Sequence, residues 1–270
     1  MHKTLRLIAA ISLALAGAGT ASSTDYWDLS TNNDNGFIET FNELAHGLSQ
    51  QHDLQANPGP VADEDWTFFF TPPRSSFEAV IDSASGDIAG PLTMFQRLDG
   101  GGSMVVQTSE IANVGATVGT NIALRWQNTN STFTLNYLRV RSGGCTTDCG
   151  PEDQYHLRVY DTTVAVPRFN NAAGQITVLI VQNPTAWTRD IAGTVYFWSP
   201  TGTLLGSAPF ALGAKAALVL NTAAVMGVAG QTGTITISHD GGYGNLAAKS
   251  VALEPSTGFS FDTPGLYKPL

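Results

Sequence analysis

Thr234-Ile235-Thr236-Ile237-Ser238 alternates polar and apolar side chains without a break, the period of two expected of a strand with one face in a core and the other in water. Phe133-Thr134-Leu135-Asn136-Tyr137-Leu138-Arg139-Val140-Arg141 alternates in the same way up to Tyr137 and changes phase at Leu138, which predicts a β-bulge there. Runs rich in β-branched and aromatic residues recur at Trp66–Thr71, Phe77–Asp82, Ser103–Thr108, Asn121–Gln127, Gln154–Asp161, Ile176–Asn183, Gly193–Ser199 and Ala216–Asn221, bounded by Gly, Pro, Asn and Asp. Only Ile38 to Ser49 has helical spacing, with Phe41, Leu44, Ala45 and Leu48 on one face, and Gly47 limits it to a short helix. The expected class is all-β.

A chain of 270 residues that is 43% hydrophobic and 13% charged is suited to a compact fold poor in ion pairs, and is neither disordered, collagenous nor disulfide-dense. Its formal charge of −9 repels polyanions, so nucleic acid is not an expected partner. Residues 1–21 read as a secretory signal peptide: His2, Lys3 and Arg6 form the basic start, Leu7 to Ala16 the apolar stretch, and A-x-A-like exits follow at Ala18 and Ala21. The apolar run is too short to span a bilayer, which takes about 20 residues. A secreted or periplasmic location is expected, possible association with the outer cell surface included, with no transmembrane segment after cleavage. Loss of Lys3 and Arg6 sharpens the charge to −11.

Just under 250 residues then remain, which suits two β-sandwiches in series. The expected boundary falls between Tyr160 and Asn171, where Asp161-Thr162-Thr163, Pro167 and Asn170-Asn171 interrupt the strand pattern, giving sandwiches over 25–162 and 163–270. One elaborated sandwich or a single larger barrel is the alternative. In an exported chain, Cys145 and Cys149 are expected to form a short disulfide loop; two Cys without a second Cys or His pair fall short of a zinc set.

Asn42-Glu43-Leu44-Ala45-His46-Gly47, then Asp63-Glu64-Asp65-Trp66 leading into a strand, and finally Tyr137-Leu138-Arg139-Val140 and Tyr155-His156-Leu157-Arg158-Val159, resemble the bacterial pre-peptidase C-terminal domains over about residues 42–160. The resemblance implies a jelly-roll-like sandwich, non-catalytic, appended to secreted enzymes and in some relatives calcium-binding or matrix-binding. It points to Asn42, Glu43, Asp63 and Asp65 as calcium ligands, hard oxygen donors of the kind that cation takes. The chain departs from the family in placing Glu39 three residues before Asn42 and in lacking Glu-Pro-Asn. Gln182-Asn183-Pro184, Phe197-Trp198-Ser199 before Pro200-Thr201-Gly202, and Leu212-Gly213 resemble an immunoglobulin-like bacterial surface module.

Trp27, Trp126, Trp187 and Trp198 are candidates for a sugar-stacking platform, against the alternative that sandwich aromatics fill the core. Catalytic patterns are thin: Gly-x-Ser-x-Gly, His-Glu-x-x-His and Gly-x-x-x-x-Gly-Lys are absent from the sequence, and adjacent Ser238-His239-Asp240 point to opposite strand faces. The pairs Asp63/Asp65 and Glu152/Asp153 are the acids available for general acid–base work. The leading expectation is an exported non-catalytic protein binding an extracellular protein or polysaccharide at the cell surface, matrix or envelope, with calcium as the candidate cofactor. A carbohydrate-binding module and a secreted hydrolase are the alternatives.

Overall fold

The computed structural model describes Trp27 and residues 40–55, 64–82, 92–98, 122–142, 150–185 and 190–270. The leader, Asp63, Cys145, Cys149, Trp187 and the expected strand at Ser103–Thr108 lie outside them. The first half of the fold contains β1 (Ser49–Asp53), β2 (Glu64–Thr71), β3 (Ser75–Asp82), β4 (Leu92–Leu98), β5 (Ile122–Asn128), β6 (Thr134–Ser142) and β7 (Gln154–Asp161). The second contains β8 (Val164–Asn170), β9 (Ile176–Gln182), β10 (Ile191–Trp198), β11 (Leu204–Leu212), β12 (Ala217–Asn221), β13 (Thr232–His239), β14 (Ala247–Glu254) and β15 (Phe259–Pro264).

The strands pair antiparallel into four sheets, ordered β1-β7-β3-β5 and β2-β6-β4 in the first half and β11-β10-β13-β8 and β12-β9-β14-β15 in the second. Each half has its own core. Phe69, Phe77, Trp126, Leu138, Leu157 and Val159 fill the first; Val166, Phe169, Leu179, Phe197, Ile235 and Ile237 fill the second. Two face-to-face antiparallel sheets around one core make a sandwich. The second shares that packing with the immunoglobulin arrangement but sets its first two strands, β8 and β9, in opposite sheets.

Three local expectations are corrected. The described part of Ile38–Ser49 is extended rather than helical: Thr40, Asn42 and Leu44 are buried while Phe41 and Glu43 are exposed, a period of two. No bulge interrupts β6, whose pairing with β2 runs unbroken from Arg141 to Thr134. The apparent phase change arises because Asn136 takes an inward position, where its Nδ2 donates to Thr71 Oγ1 at 3.0 Å, and Tyr137 turns outward. The stretch around Pro167 is strand β8 rather than a linker, and it lies at a sheet edge, where a missing N–H is tolerated. Val251–Pro264 ends in an edge strand, β15.

The segment before β1 joins the two sheets of the first sandwich. Glu43 bridges to Phe68 of β2 and His46 to Val159 of β7, both in parallel sense. Gly47 then turns the chain with φ of +75°, a conformation that favours glycine.

A polar junction ties the sandwiches together. Glu78 Oε1 accepts from Arg125 Nε at 2.7 Å, and Glu78 Oε2 accepts the backbone N–H of Tyr243 at 2.9 Å. Ser238 Oγ donates to Gln127 Oε1 at 2.9 Å and lies 3.3 Å from the Ser75 carbonyl oxygen. Charged and polar groups buried in this way need such partners.

Candidate functional site

Asp65 faces the interior of the first sandwich. Its Oδ2 accepts the Tyr155 hydroxyl, and its Oδ1 lies 3.7 Å from His52 Nδ1, with both side chains fully buried. The His52 ring is stacked between Tyr155, 5.3 Å away at an interplanar angle of 11°, and Trp27, 5.8 Å away at 23°. Asn42 is also buried, with Nδ2 3.5 Å from the Trp66 carbonyl. Glu43, its neighbour on an extended segment, turns to the opposite side and is exposed. The structure therefore does not converge Asn42, Glu43 and Asp65 on one point, and Asp63 lies outside the described residues. Among the described residues no three His, Cys, Asp or Glu side chains gather to hold a metal.

Trp126 and Trp198, the stacking candidates that lie on described strands, are placed differently from one another. Trp126 is only 6% exposed and packs in the core, 5.0 Å from Phe69 and 6.0 Å from Phe77. It is a core residue because β5 turns it inward against both sheets, and it offers no face to a sugar. Trp198 is half-buried, and its Nε1 donates to Thr236 Oγ1 at 2.8 Å.

The aromatic surface is instead the outer face of β2 and β6. Inward alternation of Asp65, Thr67, Phe69 and Thr71 sets Trp66, Phe68 and Phe70 on the outer side, where Trp66 is itself covered and only 5% exposed, and β6 places Tyr137 opposite Phe68 and Arg139 opposite Trp66. The Arg139 guanidinium lies over the Trp66 ring at 5.5 Å. Phe68 is 6.0 Å from Phe70 and 6.4 Å from Tyr137. The parallel bridge of Glu43 to Phe68 brings exposed Phe41 to the same side. Phe70 is 53% exposed and Phe41 74%.

This face runs into a cleft. Glu43, Leu44, His46, Phe70, Asp161 and Lys268 are among the residues lining a space of about 230 Å³, with Phe69, Phe77 and Val159 at its apolar side. His46 Nδ1 accepts the Asp161 backbone N–H at 2.8 Å, which puts the hydrogen on Nε2, 3.2 Å from the Lys268 carbonyl oxygen. Tyr243 donates its hydroxyl to the same carbonyl at 2.6 Å. Both imidazole nitrogens thus position the chain around the cleft, while Glu43, Asp161 and Lys268 supply charge of both signs at its rim.

Ser238-His239-Asp240 is not assembled for nucleophilic catalysis. Ser238 Oγ bonds Gln127, Asp240 Oδ1 accepts the Ala192 N–H at 2.8 Å, and His239 Nδ1 accepts the Gly241 N–H at 3.1 Å. Burial holds His239 neutral, its pKa lowered to about 4 against a weaker opposing effect from the Thr162 carbonyl.

No protein-family model and no curated protein matches the chain. Solved structures similar to parts of it include a Bacteroides uniformis β-glucuronidase, at 12% identity, covering 77% of this chain and 26% of that one with a TM-score of 0.19. A β-glucuronidase of glycoside hydrolase family 2 matches at 10% identity over 84% and 26% with a TM-score of 0.19. A glycosyl hydrolase family 2 member from Bacteroides cellulosilyticus matches at 9% identity over 80% and 31% with a TM-score of 0.20. The chain spans about a quarter to a third of the length of these enzymes, and at these TM-scores the likeness carries no argument about function.

The sequence signal for the aromatic face was Phe68-Phe69-Phe70 itself. Three consecutive rings on a strand must put at least one on each face.

Proposed function

We propose that this chain is an exported, non-catalytic binding protein that engages an extracellular partner of the cell surface, matrix or envelope through the outer face of β2 and β6 and the adjoining cleft. The observation that carries the reading is Phe70, 53% exposed and shared by the aromatic face and the cleft. Large apolar side chains gathered in an exposed patch mark interaction surfaces, and aromatic anchors dominate binding energy where a partner covers them. The catalytic alternative lacks support: the imidazoles of His46 and His239 and the hydroxyl of Ser238 make hydrogen bonds that hold the fold together.

The rim favours a polysaccharide as the partner class. Carboxylates at Glu43 and Asp161 accept from sugar hydroxyls, the Lys268 ammonium donates to them, and an aromatic ring beside them takes the apolar face of a pyranose. Co-sedimentation with insoluble polysaccharides and with cell-envelope preparations tests both levels. Retention on a polysaccharide, released by its soluble oligosaccharide, supports the finer reading; retention on envelope preparations alone leaves only the coarser one, and retention on none removes both.

A further inference from the structure

We infer that the outer face of the β12-β9-β14-β15 sheet is a self-association surface that pairs with the same face of a second copy of this chain. An antiparallel sheet with one side in water normally alternates apolar inward and polar outward. β7 does so, burying Tyr155, Leu157 and Val159 and turning Gln154, His156 and Arg158 outward. β9, a central strand, does not: Thr177, Leu179 and Val181 face the core, yet the outward positions are Ile176, Val178 and Ile180.

The neighbouring strands extend the apolar face. Register places Val219 of β12 and Lys249 of β14 on either side of Ile180, and Val251 and Leu253 of β14 opposite Val178 and Ile176. Val219 is 67% exposed and Leu253 37%. Lys249 and Asp262, in contact at 2.6 Å, are the charged pair on this face.

Three features select a second copy as the occupant. Charge on the face sums to zero, with one residue of each sign, Lys249 and Asp262, closed against one another, so the same face of a second copy approaches without net repulsion. Val219 projects beside a hollow of about 270 Å³ lined by Ile180, Gln182, Ala247, Ala248, Lys249 and Pro264. A protrusion and a hollow side by side on one face are what an isologous contact requires, since each copy supplies both halves of the fit. Four strands about 4.8 Å apart and some 20 Å long give roughly 400 Å² per copy, about half a standard interface, so the pairing is weak.

The test is sedimentation equilibrium of the purified full chain from about 1 µM to roughly 500 µM, a range that brackets a weak dimer. A concentration-dependent dimer is expected for the wild type. Val219→Asp, at an exposed side chain, is expected to remain monomeric throughout with an unchanged circular dichroism spectrum. Lys249→Glu is expected to weaken the dimer, and Lys249→Glu with Asp262→Lys to restore it. A wild type that stays monomeric up to the highest concentration overturns the inference, as does a dimer that Val219→Asp leaves intact.

Discussion

Glu78 on β3 accepts the backbone N–H of Tyr243 at 2.9 Å, so a carboxylate of the first sandwich closes a loop of the second. The same carboxylate meets Arg125 at 2.7 Å, with both side chains under 10% exposed. Removing one partner of a buried pair is far costlier than the pair's net contribution, on the order of 3–5 kcal/mol. Glu78→Ala is therefore expected to destabilise by about that amount in urea unfolding and to loosen the junction enough that calorimetry resolves two transitions. A single transition at the wild-type temperature would show that Glu78 does not couple the sandwiches.

His239 makes stability depend on pH in mildly acid solution. Its folded pKa of about 4 lies below the ordinary value of 6.5, so below pH 6.5 the unfolded chain binds a proton that the native protein refuses. The contribution is complete above pH 6.5, falls as pH drops towards 4, and amounts to roughly 3 kcal/mol, at about 1.36 kcal/mol per unit. Urea midpoints across pH 4–7 are expected to show a steeper acid loss in the wild type than in His239→Gln. Parallel profiles would contradict this assignment.

Trp126 and Trp198 are expected to separate cleanly in a truncation experiment. Trp126→Ala opens a cavity between Phe69 and Phe77 and should cost about 3–5 kcal/mol. Trp198→Ala, at a half-buried ring with one hydrogen bond to Thr236, should cost distinctly less. Equal losses in chemical denaturation would mean that Trp126 is not where the core needs it.

Much of this architecture is legible in the residues. Gln154–Asp161 reads as a strand because its apolar positions recur every second residue, and the structure gives those same limits for β7. β8 is hidden by Pro167, which signals a break unless the strand is known to be an edge, a fact set by tertiary pairing. Phe41, Leu44 and Leu48 satisfy a helical period by coincidence; Leu44 alone reaches the core, and Phe41 and Leu48 stay exposed. The aromatic face proposed to bind is harder to read. A strand with aromatic residues on both sides, such as Trp66-Thr67-Phe68-Phe69-Phe70, does not say which side the core will take. That choice is made by the facing sheet, where Phe77 and Trp126 meet Phe69. The inward turn of Asp65 follows from the same choice, since Tyr155 and His52 wait for it inside.

The most direct test is a quantitative binding isotherm, on the polysaccharide or envelope preparation that retains the wild type, for Phe41→Ala with Phe70→Ala. Both rings are exposed, so the double variant should melt at the wild-type temperature. Loss of two aromatic anchors is expected to weaken binding about 10-fold or more. A double variant that binds as tightly as the wild type would contradict the assignment of the aromatic face as the binding surface.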